Sequence, residues 1–350
     1  MGAIHSLRSL TLLFAQRRLH VPSVALPLPP VPNMSVRALP FASALLFALL
    51  ATACGGNSVT ATPSTTGGTT TGRDVLAPYY LTFALCADSQ GPDCTKLRLG
   101  DTQLSTTAAG VGKLFSCNAA NPGAPGSIRA RITWIDDASS TWNLLRKPFL
   151  PSGTFAPASG SYTLQEANGT RTIQINNLPV DGRIGDWPMS RYAALTAIDP
   201  NPDTPAARSY SFALPVAPTV NVTPTCVSLG TIGVTTNGVV IYNAADARGN
   251  DAVAHEIVDA HGGHPAQADY HYHFVPERLD RAPLADGHSG IIGYIRDGFA
   301  IYGYKGVGGT ELRNTDLDEC HGHSHGTLGY HYHATIEYPY TIGCYRGTPR

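Results

Sequence analysis

The chain has 350 residues, 43% hydrophobic and 14% charged, enough apolar material for one large or two modest domains. Lysine plus arginine (24) nearly balance aspartate plus glutamate (25), so no strong field draws the protein onto nucleic acid, and nucleic-acid partners are discounted. Glycine (36) and proline (27) break long helices but suit short strands joined by tight turns, which predicts a mainly β fold.

In chain order, residues 1–33 read as a stretch upstream of the true start at Met34. Residues 34–53 then form a signal peptide: basic Arg37, an apolar run from Leu39 to Leu50 too short to span a bilayer, and the small residues Ala51, Thr52 and Ala53. Cys54 follows at once, and residues 54–73 are a Ser/Thr/Gly tether. This arrangement resembles a bacterial lipoprotein signal, which implies a lipid on Cys54 and a membrane as partner. Ala51 stands where such signals usually have leucine, so ordinary signal-peptidase cleavage is the alternative. Either route means export to the cell envelope. In an oxidising compartment the six remaining cysteines, Cys86, Cys94, Cys117, Cys226, Cys320 and Cys344, read as three disulfides. Local staples Cys86–Cys94 and Cys320–Cys344 leave Cys117 with Cys226, one of many connectivities six cysteines allow.

Residues 74–172 read as a β-rich region. Leu81, Phe83 and Leu85 alternate, as do Ile128, Ala130, Ile132 and Trp134, in the pattern of half-buried strands. Ser161 to Ile175 reads as a hairpin around Asn168-Gly169, and Tyr210, Phe212 and Leu214 as a further strand ended by Pro215. An antiparallel sandwich is the simplest packing of these strands.

Residues 173–350 read as a second domain, built from repeats 229–284 and 289–350. Gly230-Thr231-Ile232-Gly233 answers Gly290-Ile291-Ile292-Gly293 at a spacing of 60. Asn237-Gly238 through Tyr242 answers Asp297-Gly298 through Tyr302, and Tyr270-His271-Tyr272-His273 answers Tyr330-His331-Tyr332-His333. Gly263-His264 answers Gly322-His323 with a one-residue slip. Each unit predicts strand, tight turn, strand, a His-bearing loop and a final YHYH strand, so two pseudo-symmetric units in one compact β domain are expected.

These segments, with Ala254-His255-Glu256, Leu317 to Cys320 and Tyr338-Pro339-Tyr340 to Gly343-Cys344, resemble the YHYH-domain family over about 173–347. The resemblance implies no particular activity. One departure is His261, which stands where a cysteine commonly precedes the first Gly-Gly-His; it either adds a ligand or removes a disulfide.

In a strand, His271 and His273 project from one face with α-carbons about 6.5–7 Å apart. Two imidazoles so placed can close on one ion at about 2.0–2.1 Å. His331 and His333 do the same in the second unit, and His264 and His323 are the other histidines both units keep. The tyrosines face the other way and pack, or orient the rings. Imidazoles without free thiols favour a transition metal, copper or zinc foremost, over calcium or magnesium. Asp259, Asp318 and Glu319 are candidate ring-orienting carboxylates or extra ligands. The competing reading is that the histidines only pack and bond backbone. His321 and His325 have no repeat partner and read as solvated loop residues; His255 and His288 stay undecided.

Three other signals fail. His255-Glu256-Ile257-Val258-Asp259 lacks the second histidine of a zincin helix, Gly287-His288-Ser289-Gly290-Ile291 lacks the last glycine of a nucleophile elbow, and the glycines from 303 to 309 lack a phosphate-loop ending. The expected function is therefore metal binding by an exported protein. The alternatives are a metal-dependent hydrolase or oxidase on the same ligands, with Glu256 or Asp259 as general base, and a purely structural envelope protein. Four histidines around one ion would argue for storage or structure, and three beside a carboxylate for catalysis.

Overall fold

A computed structural model describes residues 74–87, 91–153, 160–280 and 282–350, all within one unit spanning 70–350. The signal segment, Cys54 and the tether lie outside these residues. Of the described helices, none is long and apolar enough to cross a membrane.

The fold is mainly β. The first strands are only two residues long: β1 (Leu97–Arg98), β2 (Leu104–Ser105), β3 (Leu114–Phe115), β4 (Ile135–Asp136) and β5 (Thr141–Trp142). They form small sheets, β1-β5-β4 and β2-β3. Two segments whose alternation predicts strands are turns instead. Arg129–Arg131 is a 3-10 helix, because Ile132 and Trp134 are buried by a local bend, and the Trp134 indole donates to the Ala254 carbonyl at 2.8 Å. Leu85–Ala87 is likewise a 3-10 turn, with Glu277 accepting from the backbone N–H groups of Ala84 and Leu85. Alternation of apolar and polar residues without a strand to pair with does not make a sheet.

The predicted hairpin is present as β6 (Tyr162–Ala167) and β7 (Thr170–Ile175), joined through Asn168 and Gly169 at φ 51° and 75°, the left-handed geometry such a turn needs. Strand β8 (Tyr210–Pro215) adds to β7, giving a three-stranded antiparallel sheet. Residue 172, the end of the first region in the sequence reading, falls inside β7. One hydrophobic core takes Leu97, Trp142 and Leu150 from before that point and Ile232, Tyr272 and Tyr332 from after it. All three disulfides pair as expected: Cys86–Cys94, Cys117–Cys226 and Cys320–Cys344.

The remaining strands are β9 (Thr231–Thr235), β10 (Val240–Tyr242), β11 (Gly263–Ala266), β12 (Asp269–Tyr272), β13 (Ile291–Ile295), β14 (Ala300–Tyr302), β15 (Gly322–His325) and β16 (Gly329–His333). They form one eight-stranded sheet in the order β11-β12-β10-β9-β13-β14-β16-β15, which reads the same from either edge in terms of each unit's strands. The centre is the antiparallel pair β9–β13. On each side a tight turn with positive-φ Gly238 or Gly298 returns the chain, and the YHYH strand then pairs in parallel with the second strand. Ile232, Ile241, Tyr272 and Tyr332 pack into the main core on one face. Val234 and Val240 pack on the other face against Ile173, Ile175, Phe212 and Leu214 of the three-stranded sheet.

Candidate metal centres

Parallel register aligns Val240 with His271 and Tyr302 with His333, so the YHYH histidines share the face that carries Val240 and flank the three-stranded sheet. Antiparallel register sets His264 opposite His271 and His323 opposite His331, where cross-strand side chains meet. The glycine before each of these histidines is required by the other face. A Cβ on Gly263 would stand 2.3 Å from the Tyr270 ring, and one on Gly322 2.4 Å from the Tyr330 hydroxyl.

Two groups result, each with ligand atoms mutually within 4.8 Å: His264, His271 and His273 in the first half, and His288, His323, His331 and His333 in the second. The two YHYH strands stand five strand spacings apart in the sheet, roughly 20–25 Å. The paired motifs therefore build two separate histidine groups, too far apart to hold a single ion between them. His288 is the ligand-type residue the sequence left undecided. The repeat offers no cue to it, because the residue 60 places earlier is Ser228.

The ring nitrogens are held in one sense. His271 Nδ1 donates to the Asp269 carbonyl (3.0 Å) and His273 Nδ1 to that of Asn243. His331 Nδ1 donates to Gly329 (2.9 Å), His333 Nδ1 to Gly303 (2.7 Å) and His288 Nδ1 to Ser289 (2.7 Å). A carbonyl only accepts, so Nδ1 carries the proton in each ring and Nε2 presents a bare lone pair. Those lone pairs face one another. The Nε2 atoms of His271 and His273 are 3.1 Å apart, and His288 Nε2 lies 3.2 Å from His331 and 3.1 Å from His333. His323 Nε2 is 3.2 Å from His331 Nε2. Two acceptors at such separation repel unless a cation lies between them. Nitrogens bound to one ion tetrahedrally at about 2.0–2.1 Å would be about 3.3–3.4 Å apart. His264 agrees: it is buried, and both its ring nitrogens lack a hydrogen-bond partner.

Burial holds these imidazoles neutral. His273 and His331 are lowered to about 4, chiefly by desolvation. His264, His271 and His333 fall well below the ordinary range, with desolvation first and neighbouring rings adding. Neutral imidazole is the form that binds metal.

Around the first centre stands Glu256, after the short helix Ala252–His255. Its Oε2 is 3.5 Å from His264 Nε2 and 3.6 Å from His273 Nε2, and has no hydrogen-bond partner. Desolvation, with Asp199 and Asp246 nearby, raises its carboxyl well above the usual range. Lys147, wholly buried and lowered to about 7 by desolvation, donates to the Glu256 carbonyl at 2.8 Å. His264, His271, His273 and Glu256 line the end of a cavity of about 360 Å³.

A family model described as YHYH protein matches residues 211–315. The chain carries a YHYH domain. The matched stretch includes the first centre and His288 but ends before His323, His331 and His333. No curated protein and no solved structure matches the chain.

Across the eight-stranded sheet the tyrosines and acids serve the opposite face. The Tyr270 hydroxyl donates to Asp259 and that of Tyr330 to Asp318, while these carboxylates also accept from the backbone N–H groups of Gly263 and Gly322. Asp259 takes further donors from Gly185 and the Trp187 indole. Asp259 and Asp318 thus fix the His-bearing loops. The rings of His271, His273, His288, His331 and His333 are oriented by backbone carbonyls, so for these the role of ring orientation expected of the acids falls to the main chain. Glu319 pairs with Arg346 at 2.9 Å. The second tyrosines reach the tight turns: Asn237 donates to the Tyr272 hydroxyl, and Tyr332 donates to Asp297.

The other histidines stay outside both groups. His255 contacts Asp101 at 2.9 Å and His261 contacts Ser152 at 2.9 Å. His321, expected in solvent, is buried against Thr335, and His325 stacks on the His288 ring at 5.2 Å between centroids.

Proposed function

We propose that this protein binds transition-metal ions, copper or zinc, at two centres of its YHYH domain. The ligands are His264, His271 and His273 in the first centre, and His288, His323, His331 and His333 in the second. The supporting observation is the set of Nε2 atoms 3.1–3.2 Å apart, with the Nδ1 protons of His271, His273, His288, His331 and His333 committed to carbonyls. With every described cysteine in a disulfide, an all-nitrogen donor set suits zinc or copper and disfavours calcium and magnesium. The matching strand order on either side of β9–β13 supports two units related by a pseudo-two-fold axis. Export, with a lipid on Cys54 holding the domain at a membrane, completes the proposal; it is supported by the signal-like sequence before Cys54. Envelope binding would then serve buffering, delivery or structure.

Metal content of protein purified without a histidine tag tests the reading. Two ions per chain are expected in the wild type, one in His271→Ala and one in His331→Ala. No metal after incubation with zinc and copper would refute it. Loss of labelled fatty acid from Cys54→Ala would test the anchor.

A further inference from the structure

The two centres are built from corresponding strands but differ in their fourth side. In the second, His288 brings a fourth imidazole. In the first, the corresponding position is Ser228, and the fourth side is Glu256, whose Oε2 points at His264 and His273 without a partner. Both ring nitrogens of buried His264 are also unpartnered. From this side the cavity of about 360 Å³ opens. Its lining carries Asp199, Asp203 and Asp246, and there is no lysine or arginine among the described residues that line it. Asp199 accepts from the backbone N–H of Ile257, Asp203 from that of Gln267, and Asp246 from those of Arg248 and Asn250. The acids are therefore fixed in place as part of the wall.

Resting on the metal reading above, we propose that the first centre is the reactive one: three imidazoles leave its ion a free coordination place, beside Glu256, that accepts small uncharged donor molecules through the cleft. Anions are disfavoured, because Asp199, Asp203 and Asp246 line the cavity and no lysine or arginine does, although Arg248 pairs with Asp246 at 3.5 Å. The second centre, saturated by four imidazoles, has no place to offer and is structural. Glu256 is placed to act on whatever binds there, either by completing the ion's shell or by accepting a proton from the incoming molecule.

The test uses the full chain loaded with cobalt(II), whose visible bands report coordination. Titration with imidazole, a neutral donor, should shift the bands in wild type and in His331→Ala, and should leave them unmoved in His271→Ala. Azide should require at least a tenfold higher concentration, and Asp203→Asn should narrow that gap while keeping both cobalt ions. Two bound cobalt ions with no imidazole response would overturn the inference, as would a response lost in His331→Ala and kept in His271→Ala. Equal affinity for azide and imidazole would overturn the selectivity of the cleft. Failure to bind cobalt at all would instead refute the underlying metal reading. If His271→Ala does not fold, His264→Gln serves the same purpose.

Discussion

Replacing His331 by alanine removes the ring that joins the second centre, since its Nε2 lies 3.2 Å from both His288 and His323. In the metal-loaded wild type, an ion at 100 times its dissociation constant contributes about 2.7 kcal/mol to folding. For a domain of this size, each kcal/mol moves the melting temperature by about 2–4 °C, so losing the ion lowers it by about 5–10 °C. Truncating the ring also leaves a cavity, yet in the metal-free protein this cost is offset in part because a pair of facing lone pairs disappears. The expected signature is therefore a difference of differences. Scanning calorimetry of wild type and His331→Ala, each with zinc and each with EDTA, should show a wide gap with zinc and a narrow one with EDTA. A wild-type melting temperature indifferent to EDTA, or a gap of the same size in both conditions, would refute the reasoning and make these histidines packing residues.

The metal-free protein should lose stability in acid. His273 has a folded pKa of about 4, below the 6.5 of an exposed histidine, so between these values the unfolded chain holds more protons. Stability from this group is complete above pH 6.5 and drains away as pH falls toward 4, by about 3 kcal/mol; urea melts of EDTA-treated protein at pH 7.5 and 4.5 measure it, and equal stability would contradict the burial argument. Tyr332→Phe removes a buried hydroxyl that donates to Asp297 and accepts from the Arg346 backbone N–H. It should cost about 1.5–3 kcal/mol and leave metal stoichiometry unchanged, because that ring faces the core; metal loss without destabilisation would place it on the wrong face. Gly322→Ala forces a Cβ within 2.4 Å of the Tyr330 hydroxyl and should cost about 1–3 kcal/mol while displacing His323, so a variant that keeps full stability and two ions would show that the close approach is not constraining.

The His-x-His pairs, the tight turns at Asn237-Gly238 and Asp297-Gly298, the hairpin at Asn168-Gly169 and the local disulfides were legible because each depends on a few neighbouring residues. Strand periodicity alone puts His271 with His273 on one side and Tyr270 with Tyr272 on the other. The same periodicity misled at Ile128–Trp134, where Ile132 and Trp134 are buried but Ile128 is exposed and Arg129–Arg131 is a 3-10 turn. Two questions were beyond the sequence. It does not fix how many centres there are, since that depends on which strands meet: β9 pairing with β13 at the middle of the sheet drives the YHYH strands toward opposite edges. Nor does it reveal His288 or the position of Glu256, because neither shares the repeat's spacing with its centre. His288, just before β13, meets His331 and His333 of β16, and Glu256, just after the short helix Ala252–His255, meets His264 of β11, so both side chains arrive by the path of the chain through space. Local chemistry set what each motif can do, and long-range pairing decided which residues act together.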